Sequence, residues 1–356
     1  MNREILAPIS RQSKGLQTNI ARITQGIPMT DNKFHPITGS VMPRFAGIAT
    51  LMRLPLVGLE DPLFKEVDIG LVGVPWDGGT TNRPGARHGP RQVRDISTMV
   101  RNVNRASGLK PFSICNCADL GDTPVNPVDL MDSLTRIEGF FDKLQVAGVA
   151  PLSIGGDHLV SLPILRTLAK KYGPVGMVHF DAHTDTWDGY FGGFKYTHGT
   201  PFRRAVEEGV LDPKRTIQIG IRGALYNDAE DTWGQEQGIR VIDIEEFHHM
   251  GTAAVIAEAR RVVGVGATYV SFDVDALDPV YAPGTGTPEI GGLTTLEAQR
   301  LVRGLQGLNL IGGDVVEVSP PFDPSGNTAL VGATMAFEIL CVLADSISNK
   351  KAANAP

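Results

Sequence analysis

The chain has little that would commit it to a nucleic acid, a membrane or an oxidised scaffold. Its 356 residues include 3 cysteines, Cys115, Cys117 and Cys341. So odd and sparse a set in a long chain excludes a disulfide framework, and the C-x-C spacing of the first two, with no second pair, excludes a zinc ribbon. Positive charge is not in excess: 33 Lys and Arg stand against 39 Asp and Glu, for a formal net charge of -6. Without a basic field, no nucleic-acid or membrane partner is expected, and small-molecule chemistry is favoured. No apolar run approaches the roughly 18 residues of a membrane span. The N-terminus, MNREILAPISRQSKGL, lacks the apolar stretch of a secretory signal; Arg3, Arg11, Lys14 and Arg22 against Glu4 faintly resemble a transit peptide, but the expected location is cytoplasmic. The pattern G-x-x-x-x-G-K-[ST] is missing, so the glycines of WDGGTTNRPGARHG (76–89) read as loop formers, not a nucleotide cradle.

What the chain does have is a repeated alternation of short apolar strand, loop and amphipathic helix. Strand candidates are VDIGLVGVP (67–75), VAPLSIGGD (149–157), VGMVHFDAH (175–183), TIQIGIR (216–222), RVIDIEEF (240–247), TYVSFDVDALD (268–278) and LIGGDVVEVSP (310–320). Several are nearly continuous in apolar residues, as strands covered on both faces are. Between them DLMDSLTRIEGFFDKLQVAG, LVSLPILRTLAKKYG and TTLEAQRLVRGLQG read as helices, each closing at or near a glycine. This alternation predicts an α/β protein with a parallel sheet and helices on both faces. Residues 61–356 show no composition break and read as one domain. Residues 1–60, rich in polar turns and ending in PRFAGIATLMRLPL, read as an arm that folds back on its own subunit or covers a neighbour.

Chemistry gathers at the carboxyl ends of these strands, where open α/β sheets bind their ligands. The stretch DAHTDTWD (181–188) packs three aspartates and a histidine directly after an apolar run. At an effective dielectric near 20, two carboxylates about 4 Å apart repel by roughly 4 kcal/mol, so the cluster calls for a counter-charge. In an extended chain Asp181, His183 and Asp185 would point the same way, a three-ligand comb. The same spacing pairs Asp273 with Asp275, and IGGDHL offers His158 at another strand end. Four carboxylates and two imidazoles result, with a charge that two divalent cations would balance. Oxygen-rich ligands with some imidazole suit manganese, with nickel or iron next, better than a thiolate-preferring zinc or copper site. Water shared by two such ions is a strong nucleophile at neutral pH. A lone D-x-D is as often a turn or cap as a ligand pair; three clusters after strands of one sheet point jointly to metal. Glu317 is a further oddity, a carboxylate inside the apolar DVVEVSPP, where it is costly without a cationic partner.

GGDH (155–158), DAHTDTWD (181–188), THGTPF (197–202) and SFDVDALDPVYAPGTGTPEIGGL (271–293) together resemble the ureohydrolase family of arginases, agmatinases and guanidino-acid hydrolases, over about residues 67–345. The resemblance implies a three-layer α/β/α, arginase-like fold with a parallel sheet of about eight strands. It implies a binuclear centre, manganese first and nickel second, that hydrolyses a guanidinium to urea and an amine. By motif position His158, Asp181, Asp185 and Asp273 would hold one ion, and Asp181, His183, Asp273 and Asp275 the other, with Asp181 and Asp273 bridging. Asp185 would also steer the nucleophile by accepting its hydrogen bond, His198 would protonate the departing amine, and Glu317 would hold the substrate guanidinium through paired hydrogen bonds. Relatives of this kind assemble as trimers or hexamers, so a homo-oligomer is expected, with a mixed oligomer as the alternative.

Arginases carry asparagine where this chain has Trp187, which cannot supply that acceptor and donor pair, so arginine is disfavoured. The surrounding residues resemble guanidinobutyrases, which makes 4-guanidinobutyrate or a similar guanidino acid the first expectation and guanidine, agmatine or metformin the alternatives. Gly189, where a bulkier residue is common, is expected to enlarge the pocket. Lys195, Arg203 and Arg204 are candidates to meet a carboxylate tail. Two other classes compete: a single-zinc deacetylase of the same architecture, disfavoured by the extra His158, Asp185 and Asp275, and a non-catalytic partner subunit.

Overall fold

The computed structural model describes residues 32–227 and 229–353, with the side chains of 229–231 outside that description. Among the described residues there are eight strands: β1 Ile69–Gly73, β2 Cys117–Asp122, β3 Ala150–Ile154, β4 Val175–Phe180, β5 Leu211–Ile221, β6 Arg240–Asp243, β7 Thr268–Asp273 and β8 Leu310–Val316. They form one sheet in the order β2-β1-β3-β8-β7-β4-β5-β6, and every pairing is parallel. Parallel neighbours need crossover connections, and helices supply them on both faces.

The central strands β4 and β7 divide their side chains between two cores. Val178 and Phe180 of β4, with Val270 and Phe272 of β7, pack beneath helices Thr252–Val263, Thr295–Arg303 and Asn327–Ala353. Met177 and Tyr269 face the other way, toward helices Leu130–Ala147, Ser161–Tyr172 and Pro201–Glu207. Full burial of each such large side chain contributes about 1.5–3 kcal/mol, which is why these strands read as unbroken apolar runs. Asn327–Ala353 is, among the described residues, the one helix long and apolar enough to cross a membrane, but 72% of its most apolar window is buried inside the protein. Its place between sheet and neighbouring helices makes it a core helix.

One difference from the sequence reading has a plain cause, and one alternative left open there is decided. β2 was not foreseen because CADLGD carries Asp119 and Asp122 and so resembles a turn; it is an edge strand whose carboxylates both meet Arg94, at 2.9 and 2.6 Å. The apolar end of the arm packs on its own chain, with Leu51, Met52 and Leu54 in one core and Val57 in the other. Residues 1–31, which include the basic N-terminal segment and half of the arm, lie outside the described residues.

One feature of the sheet bears directly on function. Ser153, Asp314, Ser271, His179 and Gln218 are register partners on five successive strands, β3, β8, β7, β4 and β5. All five are fully buried. A polar row thus crosses the sheet one layer beneath the strand ends.

Candidate active site

β4 stops at Phe180, and the chain after it is not extended. Asp185 has φ 53°, a left-handed conformation that costs a non-glycine residue about 1–2 kcal/mol. The straight comb expected from D-x-H-x-D is therefore replaced by a turn. The physical reason is spacing: in an extended strand Asp181 and Asp185, four residues apart, would lie about 13 Å from each other, too far to share one ion. In the observed turn they converge. Ligand atoms of His158, His179, Asp181 and Asp185 lie within 4.8 Å of one another, as do those of Asp181, His183 and Asp275.

Asp181 belongs to both groups and divides its oxygens between them. Oδ2 lies 2.9 Å from His158 Nδ1, while Oδ1 lies 3.4 Å from His183 Nδ1. His158 Nδ1 is also 3.0 Å from Asp185 Oδ2 and 3.2 Å from Asp273 Oδ2, and His183 Nδ1 is 3.3 Å from Asp275 Oδ2. Asp273 ends β7, and its Oδ1 caps the short turn Val274–Ala276 by accepting the Asp275 N–H at 2.8 Å. All six residues expected as ligands are thus brought together, five of them buried and His183 partly exposed.

The donor set suits a cation. Ser271 gives its O–H to Asp314 Oδ1 at 2.7 Å, so it accepts from His158 Nε2 at 2.8 Å. That leaves Nδ1 as a lone pair, and this buried atom has no hydrogen-bond partner although three carboxylate oxygens crowd it. Electron-rich atoms converging in this way need a proton or a metal between them. Burial would lower the His158 pKa, but the three carboxylates outweigh it and hold the ring well above its ordinary range. Burial, with Asp275 and Asp181 nearby, lifts Asp273 well above the carboxylate range, and burial and Asp181 push Asp275 up to about 6. Without a bound ion the cluster retains protons that a divalent metal would displace.

Glu317 and His198 stand beside this cluster. Glu317 is 1% exposed, with φ 65°. Its Oε1 accepts the His158 backbone N–H at 3.0 Å and lies 2.8 Å from His198 Nδ1, whereas Oε2 is buried with no partner. The cationic partner demanded by its apolar setting is a histidine, and one oxygen remains free. A Cβ built on Gly286 would lie 3.3 Å from that oxygen, so the missing side chain leaves a slot in front of it. His198 Nε2 meets Thr81 Oγ1 at 2.7 Å and Thr81 N at 3.1 Å. Burial lowers the His198 pKa, but Glu317 overcomes it and raises it to about 9.

Of the four residues expected to shape the pocket or meet a substrate tail, three are otherwise engaged. Gly189 does not open the pocket: a Cβ there would lie 2.9 Å from the Phe194 carbonyl oxygen, so its bareness lets the 190–194 hairpin close in. Arg203 and Arg204 are occupied by Asp188, at 3.4 and 3.2 Å, and by Glu207. Lys195 is exposed. Trp187 stacks on Tyr190 with ring centroids 4.8 Å apart and an 8° tilt, and meets the edge of Tyr226 at 5.8 Å. His179 was missed altogether, although the alternation that selected Asp181 and His183 extends back to it. Its Nε2 lies 2.8 Å from Asp181 Oδ2.

A parallel α/β sheet with a carboxylate and imidazole cluster at its strand ends defines a class of metal-dependent hydrolase. Comparison with known proteins gives the family. A model described as the arginase family matches residues 67–342, and the chain belongs to that family. It is 62% identical to a guanidinopropionase of Pseudomonas aeruginosa, over 89% of this chain and 98% of that protein. It is 50% identical to a guanidinobutyrase of the same organism, over 88% and 98%. Among solved structures, proclavaminate amidino hydrolase of Streptomyces clavuligerus matches with a TM-score of 0.81 and 39% identity, covering 85% of this chain and 99% of that one.

Proposed function

We propose that this protein hydrolyses the C–N bond of a short guanidino acid, giving urea and an amine, at a centre of two divalent ions. One observation carries the reading: Asp181 turns one oxygen to each of two ligand groups, beside a buried Glu317 whose second oxygen is unpartnered. His158, Asp181, Asp185 and Asp273 would hold one ion and Asp181, His183, Asp273 and Asp275 the other. Manganese is the first choice for so oxygen-rich a set and nickel the second. Such ions acidify water and stabilise charge developing at the attacked carbon.

The remaining work falls to the chain itself. Glu317 Oε2, facing the slot at Gly286, holds the guanidinium by charge-assisted hydrogen bonds and sets its carbon toward the cluster. His198 Nδ1, on the Glu317 side, delivers a proton to the departing nitrogen, while Thr81 fixes the far side of the ring. Trp187, two residues past Asp185 and stacked on Tyr190, supplies no hydrogen-bonding pair for an α-amino acid head, which disfavours arginine. The likeness to a guanidinopropionase at 62% moves the leading substrate from 4-guanidinobutyrate to 3-guanidinopropionate. In this reading residues 61–356 form the catalytic domain and residues 1–60 an arm. The arm's exposed Phe45 and Ile48 suit a contact in a cytoplasmic homo-trimer or hexamer.

The test is urea release from 3-guanidinopropionate, 4-guanidinobutyrate, agmatine, arginine, guanidine and metformin, with protein reconstituted separately with manganese and nickel. A preference for the two guanidino acids and two ions per chain by elemental analysis are expected. No urea from any substrate by metal-loaded protein, or activity that survives exhaustive chelation, would end the reading.

A further inference from the structure

The polar row beneath the cluster contains two residues with no assigned task, His179 and Gln218. They are register partners on adjacent strands, fully buried, and one layer below Asp181. Gln218 Nε2 lies 2.6 Å from the Thr184 carbonyl oxygen and 3.1 Å from His179 Nδ1. The first contact fixes the amide's orientation, because the opposite flip would set two oxygens against each other at that distance. The amide nitrogen has two hydrogens, and its second one points at His179 Nδ1. Nδ1 therefore accepts, and the imidazole proton stands on Nε2, 2.8 Å from Asp181 Oδ2. Phe202 packs against the ring with centroids 4.5 Å apart, and a half-turn of the imidazole would set carbons against both Gln218 and Asp181, so the observed orientation is the one that keeps both bonds. Gln218 Oε1 is left buried without a partner, a cost set against the two bonds of the amide nitrogen.

We propose that Gln218 fixes the tautomer of His179, so that His179 donates to Asp181 Oδ2 and holds that carboxylate in its two-sided position between the ligand groups. Gln218 and His179 are then positioning residues for metal, and His179 is not itself a ligand despite lying among the ligand atoms. Of the two bonds of Gln218, the one to His179 orients the shared carboxylate, and the one to Thr184 ties down the backbone between His183 and Asp185. The proposal rests on the metal-centre reading above only for its consequence in metal affinity; the tautomer itself is a property of the chain.

The first measurement is therefore made on metal-free protein labelled with 15N at histidine, the His179 signals being assigned by their loss in His179→Phe. A protonated Nε2 and an unprotonated Nδ1 are expected; a proton on Nδ1 alone overturns the proposal. Gln218→Glu keeps the shape but has at most one donor hydrogen where the amide nitrogen has two, and the Thr184 carbonyl oxygen at 2.6 Å claims it, so Nδ1 loses its donor and should become protonated in that variant. Manganese affinity by chelator competition should weaken by about 10- to 100-fold in both Gln218→Glu and His179→Phe. The double variant should bind no more weakly than His179→Phe, since Gln218→Glu keeps the bond to Thr184 and the bond it loses acts through that ring. Wild-type affinity in Gln218→Glu, or losses that multiply in the double variant, would place the effect of Gln218 elsewhere and refute the assignment. If wild-type protein binds no divalent ion, the functional reading fails while the nitrogen shifts still decide the tautomer.

Discussion

Replacing Glu317 by glutamine separates substrate binding from metal binding more cleanly than any other single change. Two donors already claim Glu317 Oε1, the His158 N–H at 3.0 Å and His198 at 2.8 Å. In Glu317→Gln the side-chain oxygen stays with them, which leaves the NH2 where Oε2 was. A donor then faces the guanidinium's donors in a site that is 1% exposed. Removing one partner of a buried, hydrogen-bonded charge pair costs about 2–5 kcal/mol, so kcat/KM should fall by between roughly 30-fold and several thousandfold. Steady-state urea release beside elemental analysis reads both quantities. Metal content should stay unchanged, and Tm should hold or rise, because a buried carboxylate with an unpartnered oxygen is itself a burden on folding. A loss under threefold with metal intact would refute the role given to Glu317, and a loss of metal would move Glu317 into the ligand set.

Three further outcomes test the site and its supports. Since burial lowers and Glu317 raises the His198 pKa, to about 9, the protonated ring that the reaction uses should be lost above that value. The alkaline limb of kcat/KM should fall near pH 9 and move down in Glu317→Gln; an unmoved limb would detach it from His198. The sign for stability agrees: a raised folded pKa contributes stability that is present below the ordinary histidine value of about 6.5 and lost as pH rises through about 9. In Gly286→Ala the new Cβ would sit 3.3 Å from Glu317 Oε2 and 3.6 Å from the Arg83 carbonyl oxygen, filling the slot without a severe clash. KM should rise at least about tenfold with little change in Tm, as expected for lost uniform binding, and an unchanged KM would show that the guanidinium lies elsewhere. Gly156→Ala is the opposite kind of change, because its Cβ would lie 1.5 Å from the Trp76 carbonyl oxygen. Urea denaturation should show a loss of about 3 kcal/mol or more, and a loss under about 1 kcal/mol would mean the 76–79 loop yields freely.

Much of the fold was legible because most strands are buried on both faces and therefore spell themselves in apolar letters. β2 was not, because an edge strand may keep carboxylates, and Asp119 is held by Arg94 from a helix 25 residues earlier, a pairing no local pattern announces. The six ligand candidates were legible from residue type at strand ends. Their geometry was not: Asp185 needs a left-handed turn that a D-x-H-x-D spacing does not reveal. The pairing of His198 with Glu317, 119 positions apart, and of Gln218 with His179, 39 apart, depends on tertiary neighbourhood alone. Gly189 illustrates the reverse error, where a missing side chain suggests empty space that a nearby backbone has already taken.

The row from Ser153 to Gln218 also makes strand alignment chemically visible. Should β5 slip by one residue against β4, Ile217 or Ile219 would replace Gln218 as the neighbour of His179. Such a slip would turn Ile217 and Ile219 away from the core they fill and at the same time deprive Asp181 of its brace. Strand register is therefore a condition for that carboxylate's geometry as well as for packing, and a surplus of ions would not repair a slipped strand.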